Sequence, residues 1–440
     1  MGLARAASLG MAMPDLGMAM VPGHPDVQTD EELDRNVVQV TLDGVVRALT
    51  DASTGAQPVA EPDPDRVVFE GTFDEVNDHF YENLWTDGIP IVPPTRERIE
   101  AFLSFTPRRP DEVLGVMLPD NRAATVWSVA VNGAMAGCRP AYMPILVALA
   151  EAMADPVYGV EHSGNTPGAE TQIVLNGPLI KQLGFNYEQG AMRDGFRANT
   201  SIGRFWRLFL VNVAGFQRHQ NDKATFGGTW RVVLAENEDV LARIGWPGLG
   251  TDLGLPAGSN GVSIARFTGG KVVASVYGNK ADECLPYLAD ALKSISTWEV
   301  NFTVGLATGT YKPLLVLSPI IAETIAKSGW SKRDLQQQLF EHARMPASQF
   351  ERYMGPYTNL TAGRRKLTDM VMLGKAPKVF GASRDPERMV PVVARPEDIL
   401  VAVSGDPLRT NCYVFCQNGY IGQPVARAIE TPGDWPQRVA

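Results

Sequence analysis

Cys138 lies in the stretch VNGAMAGCRPAYMP (131–144), where the cysteine could be a reactive thiol or a residue that packs in the core. Gly137 can end one helix and Pro140 suits the first turn of the next, so we expect the thiol at or just before a helix N-terminus. There the unpaired N–H groups and the neighbouring Arg139 favour a thiolate, and a nucleophilic or redox thiol needs a low pKa. A small buried hydrophobe at a bend is the alternative. The residues alone leave both open.

A second polar group marks the start of the helix predicted over 197–216. Arg197, Asn199 and Thr200 cluster there, with Asn199 or Thr200 as the expected cap. Unpaired N–H groups and a guanidinium at a helix start bind anions and carboxylates. We therefore consider these residues a candidate substrate cradle, and a solvated first turn is the alternative.

The segment around 160–180 adds three candidates. Asn176 and Gly177 follow the apolar run TQIVL, which predicts a buried strand, and α/β proteins bind ligands at the ends of such strands. Asn176 offers an amide and Gly177 permits close backbone approach, although a plain turn needs the same residues. His162, in the preceding loop VEHSGNTPG, could exchange protons near neutral pH, although a lone loop histidine is more often incidental.

Metal-ligand patterns are weak throughout the chain. The five histidines are scattered singly. Cys412 and Cys416 lie in a stretch typical of a strand, where thiols four residues apart stand about 13 Å apart, too far to share one ion. We predict no resident metal or other cofactor, and the sequence assigns no role to Cys284.

Composition limits the function classes. The chain has 440 residues, is 45% hydrophobic and carries a formal net charge of −9. This length predicts more than one packed unit, and the negative charge argues against nucleic acid as a partner. No run of 18 apolar residues is present, and Asp15 interrupts the only N-terminal stretch that resembles a signal peptide. A cytoplasmic protein without a membrane partner is therefore predicted.

The order of predicted elements indicates an α/β protein with largely parallel sheets. PLLVLSPIIAETIAKSG (313–329) resembles TQIVLNGPLIKQLG (171–184), which suggests two related α/β units. We predict a first α/β domain at 66–270, which carries the candidate site, and a second at 271–440. Residues 53–65 form a Pro- and Asp-rich linker. Residues 1–52 form an α/β segment too small to bury a core alone, so a partner surface is expected to complete it.

Several blocks together resemble the large domain of the bacterial UGSC (seleno)protein group. These are DGIPIVPPTRERIEAFL, VNGAMAGCRPAYMPILVALAEAM, IVLNGPLI, GFRANTSIGRFWRLFLVNVAG and DKATFGGTWRVVLAENED, within roughly residues 70–265. The N-terminal stretch resembles the last third of that group's small domain, but its Sec/Cys-Gly-Ser-Cys motif is absent here. A second departure is Phe226-Gly227, where relatives tend to show a His-Gly pair, so the resemblance implies no histidine role at this position.

The resemblance implies thiol-dependent chemistry on a small organic molecule and favours a separate small subunit that supplies the missing motif. A chain that is a fragment, or one in which the motif's function was lost, would explain the same absence. The main hypothesis is a large enzyme subunit acting on a carbon–heteroatom bond of a small polar or anionic substrate. Cys138 would be the nucleophile or redox thiol and His162 a proton carrier, while Arg139, Arg197, Asn199, Thr200, Asn176 and Gly177 would bind substrate. A non-catalytic scaffold for a small catalytic chain and a metal-dependent hydratase or lyase are the alternatives, and an oligomer is expected.

Overall fold

The computed structural model describes residues 17, 19–23, 28–50, 66–228, 232–306, 310–354, 366–417 and 422–438. Its centre is one seven-stranded mixed sheet, surrounded by helices, so the α/β class predicted from the sequence is confirmed. The strands of this sheet are β3 (Glu170–Asn176), β4 (Leu234–Ala235), β5 (Gly261–Val273), β6 (Leu314–Leu317), β9 (Leu400–Val403), β10 (Cys412–Gln417) and β11 (Val425–Ala428).

The order of the strands has an internal symmetry. It runs β4-β3-β5-β10-β6-β9, with β11 added beside β5. One parallel pair lies in each half, β3 with β4 and β6 with β9, and the pairs between them are antiparallel. The two apolar strands whose sequences resemble each other, β3 and β6, thus hold equivalent positions. Both halves share one sheet, and the predicted boundary at residue 270 falls inside β5.

The sheet curls until its two outermost strands meet. Asn237 N donates to Val403 O (2.8 Å) just beyond β4 and β9, and Ser404 Oγ donates to Ala235 O (2.7 Å). The carboxylate of Glu236 also accepts from Val403 N (2.9 Å). These contacts satisfy backbone groups that an open sheet edge would leave unpaired.

Alternation along the strands divides the core into an inner part and two outer parts. In β3, Val174 points into the curled sheet, whereas Ile173 and Leu175 pack against helices. In β6, Leu314 and Val316 point inward. This two-residue period follows from strand geometry. Both faces are buried, which explains why β6 is apolar at every position and why β3 carries the continuous apolar run 173–175.

Helices cover each half of the sheet. In the first half they are Phe73–Glu82, Arg96–Leu103, Val126–Met135, Met143–Met153, Leu179–Gln182, Arg197–Asn212, Glu238–Ile244 and Leu249–Asp252. Later in the chain they are Ala281–Leu306, Pro319–Lys327, Lys332–His342, Ala347–Met354, Leu367–Met372 and Trp435–Arg438. Short 3-10 helices are Pro140–Tyr142, Val160–His162, Lys378–Gly381 and Pro396–Asp398. Two antiparallel two-stranded ribbons complete the fold: β1 (Val113–Met117) with β2 (Arg122–Thr125), and β7 (Arg344–Pro346) with β8 (Met389–Pro391).

The N-terminal segment contains a continuous helix over 30–50. It consists of Asp30–Asn36, a π-helical stretch Val37–Thr41 and Leu42–Thr50, and none of its residues is buried. Thr29 begins it with a capping box to Glu32. The predicted linker 53–65 lies outside the described residues. Across the described ranges, no helix combines the length and the apolar character needed to cross a bilayer.

Candidate functional site

The corner predicted at Cys138 is present. The helix Val126–Met135 ends there, and Gly137 adopts the left-handed backbone (φ +79°) that glycine tolerates after a helix C-terminus. Cys138 N donates to Gly133 O (3.1 Å), and Pro140 is the first residue of the following 3-10 helix. Cys138 therefore lies just before a helix N-terminus, as its neighbours predicted.

The predicted low pKa of Cys138 is wrong. Its side chain is buried, and burial raises the pKa of the thiol to about 12. A contact with Ser201 and the charges of Arg197 and Arg204 oppose this increase without overcoming it. Desolvation disfavours the thiolate more than the helix terminus favours it, so the thiol is neutral at physiological pH.

The polar group at the start of the helix Arg197–Asn212 holds the fold together. The helix is capped by Phe196, so the predicted cap at Asn199 or Thr200 is wrong by one turn. Asn199 accepts from Asn186 N (2.9 Å) and donates to the carbonyls of Asn186 (2.9 Å) and Val233 (2.8 Å). Thr200 Oγ1 accepts from Gly195 N (3.2 Å).

Arg197 and Arg139 differ from that pair because both are exposed. The guanidinium of Arg197 donates to Gly137 O at 3.3 Å and 3.2 Å, which connects its helix to the Cys138 corner. Arg139, the residue after the same cysteine, is solvent-exposed. The structure thus brings together Cys138, Arg139 and Arg197, around a thiol with little access to solvent.

At the end of β3, the chain itself occupies the place expected for a ligand. Asn176 Nδ2 donates to Glu236 Oε2 (2.7 Å) and Glu238 Oε1 (3.0 Å), and its Oδ1 accepts from Gly250 N (3.0 Å). Gly177 (φ +99°) is needed because a Cβ would lie 2.6 Å from Ser259 O. A gap of about 20 Å³ remains, room for about one water molecule.

His162 is the last residue of the 3-10 helix Val160–His162. Its carbonyl accepts from Asn165 Nδ2 (2.6 Å). Burial lowers the pKa of its imidazole, Glu161 opposes this effect, and the nearby Arg266 adds to it. The following residue, Ser163, accepts a hydrogen bond from Arg266 (2.9 Å) and reaches a different cavity.

That polar cavity has a volume of about 330 Å³ and lies between two loops that are distant in sequence. Residues 163–170 and 222–228 run alongside each other. Lys223 N donates to Gly164 O, Thr225 N to Thr166 O, and Gly228 N to Gly168 O, each at 3.0 Å. Gly168 is required at this crossing because a Cβ there would lie 2.8 Å from the backbone of Gly227.

Five charged or titratable side chains line the polar cavity: Glu170, Arg207, Arg218, His219 and Asp222. Arg207 Nη2 lies 2.5 Å from Asp222 Oδ2, and both side chains are largely buried. Burial alone would lower the pKa of Arg207, but the charges of Glu170 and Asp222 outweigh it and raise that pKa. Arg218 is exposed and lies over the ring of Tyr81, 5.7 Å from its centroid.

His219 has an unusual backbone conformation. Its φ is +62°, in the left-handed region that non-glycine residues seldom occupy. Such a conformation costs on the order of 1 kcal/mol and persists where surrounding contacts impose it. Asn221 supplies those contacts, because its side chain accepts from Gln217 N (2.7 Å) and donates to Gly215 O (2.8 Å).

Sequence reasoning singled out both loops of the polar cavity but did not connect them. The two glycines in KATFGG were the available signal, because a close backbone crossing requires small residues. His219 stands out in the sequence only as one of five histidines that are scattered singly. Within the described part of the chain, no group of three or more His, Cys, Asp or Glu side chains is arranged to hold a metal ion.

Comparisons with family models, with curated proteins and with solved structures find no match to this chain.

Proposed function

We propose that this protein is an enzyme of the lyase or hydratase class that acts on a small carboxylate-bearing molecule in the polar cavity. The observation that carries the proposal is the convergence of two arginines, two carboxylates and a histidine on one cavity of about 330 Å³. The volume is near the lower end of the range for small-molecule sites, which suits a small metabolite. A cytoplasmic location remains part of this proposal.

Each charged or titratable residue that lines the polar cavity except Glu170 has a role in the proposed reaction. Arg207 and Arg218 bind the substrate carboxylate, whose negative charge grows as the adjacent carbon loses a proton. His219 accepts that proton as the general base, a role that imidazole side chains often fill. The imidazolium then returns the proton to the departing hydroxyl or amino group, so water or ammonia leaves and a carbon–carbon double bond remains. Asp222 holds Arg207 in position throughout.

This mechanism needs no thiol, unlike the reaction that the sequence predicts for Cys138. A thiol nucleophile must ionise and reach its substrate, and the Cys138 side chain is buried with a pKa raised to about 12. A thiol-dependent reaction at Cys138 would require a conformational change that exposes this corner. The polar cavity requires no such change.

A product screen tests the proposal. Purified protein is incubated with malate, citrate, 3-hydroxybutyrate and aspartate, and proton NMR follows the appearance of vinylic signals. We expect turnover of at least one compound and a loss of about 100-fold in kcat/KM for Arg207→Met, which corresponds to about 2.7 kcal/mol. Arg109→Met is the matched control, because Arg109 forms an exposed ion pair with Asp111. An active protein whose rate is unchanged in Arg207→Met would contradict the proposed site.

A specific observation also supports a protein partner. Val38, Leu42, Val46 and Leu49 recur every three or four residues along the helix over 30–50, and they are 51–81% exposed. Such spacing places them on one helix face, and an apolar face of this kind is typical of a docking surface. We propose that a small subunit covers it, as the resemblance to the UGSC group implies, and that the chain belongs to that group. If the polar cavity proves inactive, the scaffold hypothesis takes precedence.

Native mass spectrometry of the protein from its own source tests whether a small subunit is bound to this chain. We expect a complex that contains a second, smaller polypeptide with a Sec/Cys-Gly-Ser-Cys motif. Leu42→Glu/Leu49→Glu should dissociate it, whereas Asp43→Lys/Arg47→Glu, at exposed positions off that face of the helix, should not. A species made only of this chain would contradict the partner proposal.

A further inference from the structure

A second and larger cavity is a cleft on the first half of the molecule, with a volume of about 920 Å³. It is lined by the segment 66–71 and by residues of the helices Phe73–Glu82 and Val126–Met135 and the loop 93–95. Sites for drug-sized molecules have volumes in this range. Among the residues that the structure describes, none lines both this cleft and the polar cavity, so the two are separate sites.

Most of the cleft lining is apolar, and much of it is aromatic. Phe69 stacks on His79 with ring centroids 4.4 Å apart, and Trp85 meets Phe80 edge-on at 5.3 Å. These contacts hold the rings in fixed orientations. Phe69 and Phe73 remain 37% and 56% exposed, so ring surface is open to a ligand in the cleft. Such walls favour a flat apolar body between them.

Charged side chains lie where the cleft meets solvent. Four of them line it, and all four are exposed: Arg66, Glu70, Arg96 and Arg122. Because they are exposed, they border the opening of the cleft and leave its interior apolar. Arginine predominates among them, so the opening is electropositive and favours a ligand with a negative group.

The partners of these side chains set the size of that positive charge. Arg122 Nη2 pairs with Asp120 Oδ2 (2.9 Å), and its Nη1 donates to Asn212 O (3.2 Å). Arg66 has no hydrogen-bond or ion-pair partner among the described residues. With Glu70 and Asp120 as the carboxylates, the three arginines leave one positive charge in excess. A ligand with a single negative charge matches this excess.

A helix N-terminus reinforces the positive potential at the same opening. The helix Arg96–Leu103 begins after Thr95, which lines the cleft and whose side chain forms no capping hydrogen bond. The first turn of a helix carries a partial positive charge that stabilises nearby anions. The helix and its first residue, Arg96, therefore act in the same direction.

We propose that this cleft binds a flat, apolar ring compound that carries one carboxylate. The rings lie between the aromatic walls, and the carboxylate lies at the opening with Arg66 and Arg96. Arg122 stays paired with Asp120, and Glu70 repels a second negative charge, so the charged lining residues all have a place in the site. The proposal goes beyond the reaction in the polar cavity, and either can fail without the other.

Saturation-transfer NMR titrations of the full-length protein test the proposal with three probes of the same ring size. They are 2-naphthoate, which is an anion, the neutral 2-naphthamide and the cationic 2-naphthylmethylammonium. We expect 2-naphthoate to bind at least about fivefold more tightly than the amide, and the cation to bind most weakly. Equal affinity of the anion and the amide, a cation that binds as tightly as the anion, or no binding of 2-naphthoate would overturn the proposal.

Charge variants test the arginines and Glu70 in opposite directions. Arg66→Gln should reduce the preference for 2-naphthoate over 2-naphthamide to below about twofold, whereas Glu70→Gln should increase it by about twofold. Neither variant should change the affinity for the amide. Arg98→Gln is the control, because Arg98 is exposed and lies outside the cleft lining. A preference that stays at the wild-type value in both Arg66→Gln and Glu70→Gln would overturn the assignment of the charged residues.

Two further variants locate the rings in the cleft. Val131→Trp should weaken binding of 2-naphthoate and 2-naphthamide alike, because Val131 lines the cleft and a larger ring would fill it. Phe73→Ala removes an exposed ring from the wall and should weaken both probes without disturbing the core. Tyr277→Ala, at a ring that is 71% exposed, is its control and should change nothing. Unchanged affinities in Phe73→Ala and in a Val131→Trp protein that circular dichroism shows to be folded would overturn the assignment.

Discussion

Arg207 and Asp222 form an ion pair that joins the middle of a long helix to the loop that follows it. Their closest atoms, Nη2 and Oδ2, are 2.5 Å apart, and their side chains are 18% and 12% exposed. Arg207 is positioned by the helix Arg197–Asn212, whose other face is buried in the core. The pair therefore ties the loop with His219 to a rigid element, which a precise site requires.

Asp222→Asn should weaken catalysis by loosening Arg207. The amide keeps the shape of the side chain but loses the charge that holds the guanidinium, so the substrate carboxylate is held less firmly. We expect KM to rise about tenfold with a smaller change in kcat, since the interaction is formed before the chemical step. Steady-state kinetics on the identified substrate measure both constants. Asp111→Asn, in an exposed ion pair, is the control, and a KM equal to that of the wild type in Asp222→Asn would contradict this role.

Arg204→Met should destabilise the fold. The guanidinium of Arg204 makes two contacts to Asp87, at 3.1 Å and 3.0 Å, and the Asp87 side chain is only 1% exposed. Removal of the arginine breaks this buried ion pair, which costs about 3–5 kcal/mol. Urea denaturation measures this loss as a lower midpoint. The exposed-pair variant Arg109→Met should leave the midpoint almost unchanged, and equal effects of the two variants would refute the explanation.

More of the fold than of the candidate site could be predicted from the sequence. Strands β3 and β6 were predicted because a short apolar run followed by a proline turn is a local signal, and Gly137 and Pro140 marked the helix corner in the same way. The curling of the sheet depends on contacts such as Val403 N with Glu236, between residues 167 positions apart. No local pattern encodes such a contact.

The candidate site was predicted only in fragments for the same reason. Cys138 was placed correctly, but its pKa depends on burial by several separate elements, and helix position alone predicted the opposite direction. Glu170 and Arg207 come together only when the chain folds, so their spacing in the sequence does not predict the polar cavity. Asn176 shows the converse case, where a strand-end amide typical of a ligand site is engaged by the protein itself.

Cys138→Ser should leave turnover within about twofold of the wild type, because the polar cavity needs no thiol. The thiol should also resist alkylation. At pH 8 its thiolate fraction is far below that of a free cysteine, since its pKa is raised to about 12, so iodoacetamide should react at least about 100-fold more slowly than with a peptide thiol. Peptide mass mapping follows the labelling of this site. Loss of activity in a folded Cys138→Ser protein would restore the thiol mechanism.

His162 should make stability depend on pH. Burial lowers the pKa of its imidazole in the folded state, so the unfolded chain takes up a proton at a higher pH than the folded chain does. Stability is therefore complete above the ordinary histidine pKa of about 6.5 and decreases as the pH falls below it. His162→Asn should remove this component. Urea titrations at pH 7.5 and 5.5 should show a smaller loss of stability in the variant than in the wild type, and equal losses would contradict the assignment.

Solvent deuterium exchange tests most directly whether the polar cavity is catalytic. The wild type in deuterium oxide, given the substrate found in the product screen, should exchange the proton on the carbon next to the carboxylate. His219→Asn should lower that exchange at least about 100-fold while it retains the fold, because asparagine tolerates the left-handed backbone at this position. His342→Asn, on an exposed helix face, should exchange at the wild-type rate. Exchange at the wild-type rate in His219→Asn would contradict the central claim.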